Sequence, residues 1–165
     1  GWTAPSTAPV NNPHDVVMDS NNAHWATEYN RSYLKKYNAG GKLLKEIRGG
    51  GGSGQQQFRY PGKVAVDSGD NVYFIDTGNK RIMSYDSSGN WRCTSSTFPN
   101  NSTHIYADLE VTPSDSIVVN QSGVTYIYDT GCSLKSTITP DPNYYNSVDT
   151  HAIDQNNKSY YFDNN

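Results

Sequence analysis

Short apolar stretches alternate with turn-forming residues along most of the chain. The clearest segment starts with a strand at residues 63–66, in which polar and apolar side chains alternate, and continues with strands at residues 72–75, at residues 81–85 and from Trp91 onward. A turn rich in Asp, Gly, Asn and Ser separates each strand from the next. Period-two alternation between such turns is typical of antiparallel strands. The pattern therefore predicts a sheet of three or four short strands.

The same pattern recurs along the chain. Residues 13–20 align with residues 61–68 at an offset of 48, and less regular copies start at Asp108 and Thr150. A small antiparallel sheet that repeats every 40 to 50 residues or so is the sequence pattern of β-propeller blades. The copies predict blades at residues 13–48, 61–97, 106–138 and 148–165, the last of them partial.

The second copy also resembles a known family. Residues 58–67, Phe-Arg-Tyr-Pro-Gly-Lys-Val-Ala-Val-Asp, and residues 71–82, Asn-Val-Tyr-Phe-Ile-Asp-Thr-Gly-Asn-Lys-Arg-Ile, together resemble an NHL repeat. The resemblance is clear over residues 58–91 and weaker in the other three copies. It implies an all-β fold of NHL-type β-propeller blades, about three and a half of them. It also implies that the Gly-rich residues 49–54 are a natural loop between two blades.

The number of blades leaves the propeller incomplete. NHL propellers usually close a ring with about six blades. An open stack would expose an apolar blade face and unpaired strand edges, which native proteins avoid. We therefore expect residues 13–165 to be part of a larger propeller or to be completed by neighbouring chains. Residues 1–12, rich in Pro, Thr, Ser and Ala, are predicted to form an extended tail or linker, or else a strand that crosses onto a blade of this or another subunit.

The composition supports a β-rich chain of one domain. The 165 residues fit a domain of roughly 100 to 200 residues. Hydrophobic residues make up 34% of the chain and charged residues 18%, so neutral polar side chains dominate, and the 13 tyrosines favour strands. The apolar runs are far shorter than the ~20 residues of a membrane-spanning helix. We therefore expect no membrane span in this sequence.

The charge pattern argues against a nucleic-acid partner. The formal net charge is -3, so no general basic field attracts phosphate backbones. Residues 31–48 do contain six of the 13 basic residues. We interpret this stretch as a solvated face, and a patch for nucleic acid or an acidic glycan is the alternative.

Sequons and cysteines indicate an oxidising, secretory environment. Five Asn-x-Ser/Thr sequons occur, at Asn30, Asn100, Asn101, Asn120 and Asn157. The two cysteines, Cys93 and Cys132, favour a disulfide, while two free thiols or a bridge between neighbouring chains are the alternatives. The repeat alignment places both cysteines on outer strands of adjacent blades. We therefore predict a secreted, extracellular, N-glycosylated protein.

Few residues of the sequence suit catalysis or metal binding. The resemblance implies that channel chemistry would come from the starts of the innermost strands, which the alignment assigns to His14, Gly62, Ala107 and Asp149. One imidazole and one carboxylate fall short of the three or so protein ligands of a zinc site, so His14 and Asp149 are only candidate ligands. Calcium at the turn of Asp67 and Asp70 is the other metal alternative. We predict no cofactor.

These observations favour a structural or interaction module without catalysis. We expect its partners to be proteins, glycans or copies of itself in a fibre or surface assembly. The alternative is a segment of a metal-dependent propeller lyase or hydrolase, similar to the peptidyl-hydroxyglycine lyases that the family resemblance brings in, with its other metal ligands outside this segment.

Overall fold

The computed structural model describes residues 12–98, 107–121, 123–139, 148–153 and 159–163, the last two ranges as backbone. Within these ranges the chain forms fourteen strands in four antiparallel sheets and two short 3-10 turns. The all-β prediction is confirmed. In each sheet, strands that follow one another in sequence pair with one another. No helix in the described ranges is long and apolar enough to cross a membrane.

The sheets follow one another along the chain. The first sheet contains β1 (Pro13–Met18), β2 (His24–Glu28), β3 (Tyr33–Tyr37) and β4 (Leu43–Arg48), and the second contains β5 (Pro61–Val66), β6 (Val72–Asp76), β7 (Arg81–Tyr85) and β8 (Trp91–Thr94). The third contains β9 (Ala107–Val111), β10 (Ile117–Gln121), β11 (Val124–Tyr128) and β12 (Leu134–Ile138), and the fourth contains β13 (Val148–Ile153) and β14 (Ser159–Asp163). The 3-10 turns, Tyr29–Arg31 and Thr77–Asn79, join the second and third strands of the first two sheets.

Polar side chains close the first hairpin of each four-stranded sheet. Asp67 Oδ1 accepts hydrogen bonds from the backbone N–H groups of Gly69 and Asn71, both at 2.9 Å. Asp19 has the same role in the first sheet, and the hydroxyl of Thr112 has it in the third. The same turns use left-handed backbone at Asn22, Asp70 and Asp115, with φ between 58° and 60°. Asn and Asp tolerate this conformation, which explains the recurrence of these residues.

Hydrogen bonds between these turns join neighbouring sheets. The backbone N–H and the hydroxyl of Ser20 donate to the carboxylate of Asp70 at 2.8 and 2.7 Å. One sheet further on, Ser68 donates to Asp115 in the same way at 2.9 and 2.6 Å. The third sheet has Pro113 at the serine position, and proline has no backbone N–H. This set of bonds therefore links the first sheet to the second and the second to the third.

The bond between Ser68 and Asp115 predicts a pH-dependent contribution to stability. Hydrogen bonds from Ser68 hold the pKa of the Asp115 carboxyl below its ordinary value of 3.8. The stabilisation that these hydrogen bonds give the folded state is fully present above the unfolded pKa of about 4. It is lost as the pH falls through the lower pKa of the folded state. We expect Ser68→Ala to lower the free energy of unfolding by about 0.5 to 1 kcal/mol near neutral pH, and by less near pH 2. Urea unfolding at both pH values measures this, with the exposed Ser87→Ala as control; equal losses at both values would contradict it.

The first and second sheets pack face to face through a buried apolar cluster. Its members are Trp25, Leu34, Phe58, Val64, Val72, Phe74, Met83 and Tyr85. Phe58 comes from the segment between the sheets and is fully buried. Its ring meets that of Phe74 edge-on, with the centroids 4.9 Å apart. The segment before β5 thus provides part of the core between the two sheets.

The second and third sheets share another cluster and a disulfide. The cluster includes Tyr73, Ile75, Ile82, Phe98, Leu109, Ile117, Val119 and Tyr126. Cys93 on β8 and Cys132 form an intrachain disulfide, with their Cα atoms 5.9 Å apart. The placement of Cys132 on an outer strand was wrong: the residue lies in the turn between β11 and β12, with φ 62°. The carboxylate of Asp129 closes this turn by accepting the N–H groups of Gly131 and Ser133.

The Gly-rich segment forms a compact loop between β4 and β5. The N–H of Phe58 donates to the carbonyl of Gly49 at 3.0 Å, and the N–H of Gly51 donates to the carbonyl of Phe58 at 3.1 Å. A Cβ on Gly49 would collide with Phe58, so this position requires glycine. The guanidinium of Arg81 donates to three carbonyls of the loop, those of Ser53, Gly54 and Gln57. The glycines are therefore an ordered part of the packing between the first two sheets.

Candidate binding site at the inner strand starts

An open cavity of about 550 Å³ lies where β1, β5 and β9 begin. It is lined by His14, Tyr29, Gly62, Lys63, Thr77, Ala107 and Asp108. The structure thus brings together three of the four positions that the repeat alignment assigned to the channel, namely His14, Gly62 and Ala107. The fourth, Asp149, belongs to β13, whose side chains lie outside the described part of the chain.

Small residues and cross-strand hydrogen bonds shape this cavity. A Cβ on Gly62 would come within 2.8 Å of the Thr77 hydroxyl, so glycine lets β5 approach the second 3-10 turn closely. The hydroxyl of Thr27 donates to the carbonyl of Gly62 at 2.8 Å, and the carboxylate of Asp15 accepts the N–H of Val64 at 3.1 Å. These bonds fix the start of β5 against the first sheet.

A buried ion pair flanks each of the two 3-10 turns beside the cavity. Glu28 directly precedes the first turn, is fully buried and pairs with Lys35 Nζ at 2.8 Å. Asp76 directly precedes the second turn, is also fully buried and pairs with Arg81 Nε at 3.0 Å. Burial raises the pKa of Asp76, and hydrogen bonds from Asn79 and Arg81 counter part of this effect. Each pair therefore ties the residue that precedes a 3-10 turn to the strand that follows that turn.

Three aromatic side chains stack at the edge of the cavity, and we call them the aromatic platform. The rings of His14 and Tyr29 are 5.5 Å apart with an interplanar angle of 23°. The rings of Tyr29 and Tyr60 are 5.0 Å apart at 20°. His14 is exposed, Tyr29 is half-buried and Tyr60 is 43% exposed. The platform therefore presents ring surface to solvent next to the cavity.

Sequence reasoning missed Tyr60. The residue lies between the first two sheets, directly before β5, and its N–H donates to the Ser32 hydroxyl at 3.3 Å. Its backbone is left-handed, with φ 54°, and the aligned residue of the first copy, Asn12, has φ 55°. Asn accepts this conformation easily, whereas a bulky aromatic residue rarely adopts it. The exchange of Asn for Tyr at this aligned position was the signal in the sequence.

Few side chains that could bind a metal lie near the predicted metal sites in the part of the chain that the structure describes. In the part of the chain that the structure describes, no three His, Cys, Asp or Glu side chains lie close enough together to hold a metal ion. The described cavity lining offers one imidazole, His14, and one carboxylate, Asp108, which does not fit a zinc site of about three protein ligands. At the turn proposed for calcium, the carboxylates of Asp67 and Asp70 accept hydrogen bonds from protein donors.

The sequons that the structure describes differ in their surroundings. Asn30 is exposed in the first 3-10 turn, next to Tyr29 of the aromatic platform. Asn120 lies in β10, is half-buried and accepts a hydrogen bond from the Thr125 hydroxyl at 2.8 Å. The other three sequons, at Asn100, Asn101 and Asn157, lie outside the described residues. Glycosylation stays a prediction at all five, and Asn30 is the more accessible of the two described acceptors.

Comparison with solved structures identifies the fold of this chain. Neither protein-family models nor curated protein sequences match this chain. Its structure is similar to a virginiamycin B lyase from Staphylococcus aureus, with 13% identity and a TM-score of 0.68 over 94% of this chain and 57% of that one. It is also similar to a streptogramin B lyase, with 14% identity and a TM-score of 0.67 over 98% and 56% of the two chains. The chain has a β-propeller fold.

The structure of this chain is also similar to that of a protein from Bacteroides fragilis that is provisionally named as an exported protein. It shares 13% identity, with a TM-score of 0.60 over 84% of this chain and 40% of that one. Each four-stranded sheet of this chain is one propeller blade, and the cavity lies where the innermost strands of three blades begin. The chain spans about half the length of the propellers it matches, and identities this low establish the fold alone.

Proposed function

We propose that this chain belongs to an extracellular NHL-type propeller that acts as a structural or interaction module without catalysis. The observation that carries the proposal is the disulfide between Cys93 and Cys132, which joins the second blade to the third. Disulfides form and persist in oxidising compartments, so this bond supports a secreted protein. The aromatic platform and the cavity beside it supply a surface for a partner.

A finer proposal concerns assembly into a fibre. Val16 and Met18 on β1 are 58% and 54% exposed. Their aligned residues on β5, Val64 and Val66, pack against the first blade. The first blade therefore presents apolar side chains at positions that a preceding blade would cover, and exposed apolar surface of this kind favours association. In our proposal a blade of a neighbouring copy packs on this face, and repetition of that contact builds a fibre.

Electron microscopy and glycopeptide mass spectrometry of the native material test both proposals. We expect regular filaments, and we expect an N-linked glycan on the peptide that contains Asn30, because this side chain is exposed in a turn. An Asn30→Gln variant is the control that should lose this glycan alone. A monodisperse monomer would contradict the fibre, and unmodified sequons together with reduced cysteines would contradict the secreted protein.

A lyase segment is the second candidate. Two of the similar propellers are named as lyases, and the cavity of this chain lies where its inner strands start. The described donors do not complete a metal site, so this candidate requires ligands from other residues. Metal analysis of the protein after dialysis distinguishes the two candidates. Stoichiometric zinc or calcium that a His14→Ala variant loses would favour the lyase.

A further inference from the structure

The aromatic platform combines flat ring surface with polar groups of both kinds. Its three rings lie nearly parallel, and successive centroids are 5.5 and 5.0 Å apart. The adjoining cavity of about 550 Å³ is lined in part by three polar residues, Lys63, Asp108 and Thr77. Ligand sites typically join apolar or aromatic surface with a few polar groups that fix orientation. This juxtaposition has the composition of a small-ligand site.

The backbone at Tyr60 argues that its ring has a purpose beyond folding. The left-handed conformation at φ 54° is unfavourable for a bulky side chain, and the aligned position of the first copy has the well-suited Asn12 at φ 55°. Strained residues persist where the surrounding structure over-determines them, and they cluster at ligand sites. Tyr60 is 43% exposed, so core packing does not account for the choice of tyrosine.

The polar groups select the class of ligand. The described lining holds one lysine and one aspartate, a balanced pair that provides no cluster of cations for phosphate groups. A sugar ring has an apolar face of C–H groups, which packs against aromatic rings, and hydroxyls, which accept from Lys63 and donate to Asp108. We propose that the platform and the cavity bind a neutral oligosaccharide, with one pyranose ring stacked on Tyr60. This inference deepens the proposed function and rests on its non-catalytic binding role.

Titration calorimetry of the whole chain with chitotriose, maltotriose and cellotriose tests the proposal. We expect saturable binding of at least one of the three. Tyr60→Asn should weaken that binding about tenfold or more because it removes the stacking ring, whereas Tyr60→Phe should stay within about twofold of the wild type because it keeps the ring. Tyr60→Asn also adopts the left-handed backbone easily, so its melting temperature should equal or exceed that of the wild type. Loss of binding in this variant would then not be loss of folding.

Two sources of sugar are distinguishable. Asn30 lies next to Tyr29, so the chain's own glycan, or that of a neighbouring copy, is one source, and a polysaccharide or glycoprotein partner is the other. Binding that appears only after enzymatic removal of N-glycans from the native material identifies the chain's own glycan. Equal binding before and after removal identifies an external ligand. Either result supports the site.

Absence of saturable binding by all three sugars to the deglycosylated wild type would overturn the proposal. Equal affinities of the wild type and Tyr60→Asn would also overturn it, because the sugar would then bind elsewhere. Neither outcome affects the filaments, the glycopeptides or the disulfide that test the proposed function. A failure of the sugar site is therefore separable from a failure of the extracellular module.

Discussion

A Cys93→Ser, Cys132→Ser double variant is expected to unfold with a free energy about 3 to 4 kcal/mol below that of the oxidised wild type. The disulfide closes a loop with a sequence separation of 39 residues, and it ties β8 of the second blade to the third blade. In the chain-entropy description, its loss gives the unfolded chain the conformational freedom that the crosslink removed. Urea unfolding followed by circular dichroism measures the difference.

Chemical reduction supplies the matched control for this prediction. Reduced wild type should unfold like the double variant, and addition of reductant to the double variant should change nothing. Serine is close to cysteine in size, so the substitution itself leaves only a small packing defect beside the buried Cys132. A loss below about 1 kcal/mol would show that packing between the two blades holds them together without help from the bond.

The fold was predictable because its turn signals are local. In the first and third hairpin turns of the second blade an aspartate accepts backbone N–H groups, and these residues, Asp67 and Asp86, are recognisable turn signals in the sequence. The third blade kept its pattern of strands although Thr112 replaces the aspartate, because a hydroxyl can accept the same bond. Cys132 was misplaced because the alignment of the degenerate third copy did not locate the end of the turn that Asp129 starts, so a left-handed turn residue was assigned to the strand that follows.

The candidate site was predictable only in part. The alignment identified His14, Gly62 and Ala107, because equivalent positions of a repeat occupy equivalent places around a propeller axis. It did not identify Tyr60 as a neighbour of His14, because that contact runs through Tyr29 and joins three segments distant in sequence. Such contacts leave no periodic signal. The exchange of asparagine for tyrosine between two aligned copies gains meaning only when the backbone angle is known.

A Phe58→Ala variant is expected to lose about 3 to 5 kcal/mol of unfolding free energy. Phe58 is fully buried between the first and second blades, contacts the Phe74 ring edge-on, and its removal would leave a cavity in the loop-to-blade packing. Phe58→Leu should lose less, and Leu44→Ala, at a side chain 51% exposed, should change little. Urea unfolding measures all three variants.

A variant that combines Phe58→Ala with loss of the disulfide tests whether the three blades unfold together. Phe58 acts between the first and second blades, whereas the Cys93–Cys132 bond acts between the second and third. The two sites share no partner, so their losses should add to within about 0.5 kcal/mol if all three blades unfold together. Repeat proteins are stabilised by each unit and by its contacts with its neighbours, so separate interfaces should contribute separately. A single unfolding transition with additive losses is the expected result. Two transitions, of which only one responds to Phe58→Ala, would mean instead that the first blade detaches before the other two unfold.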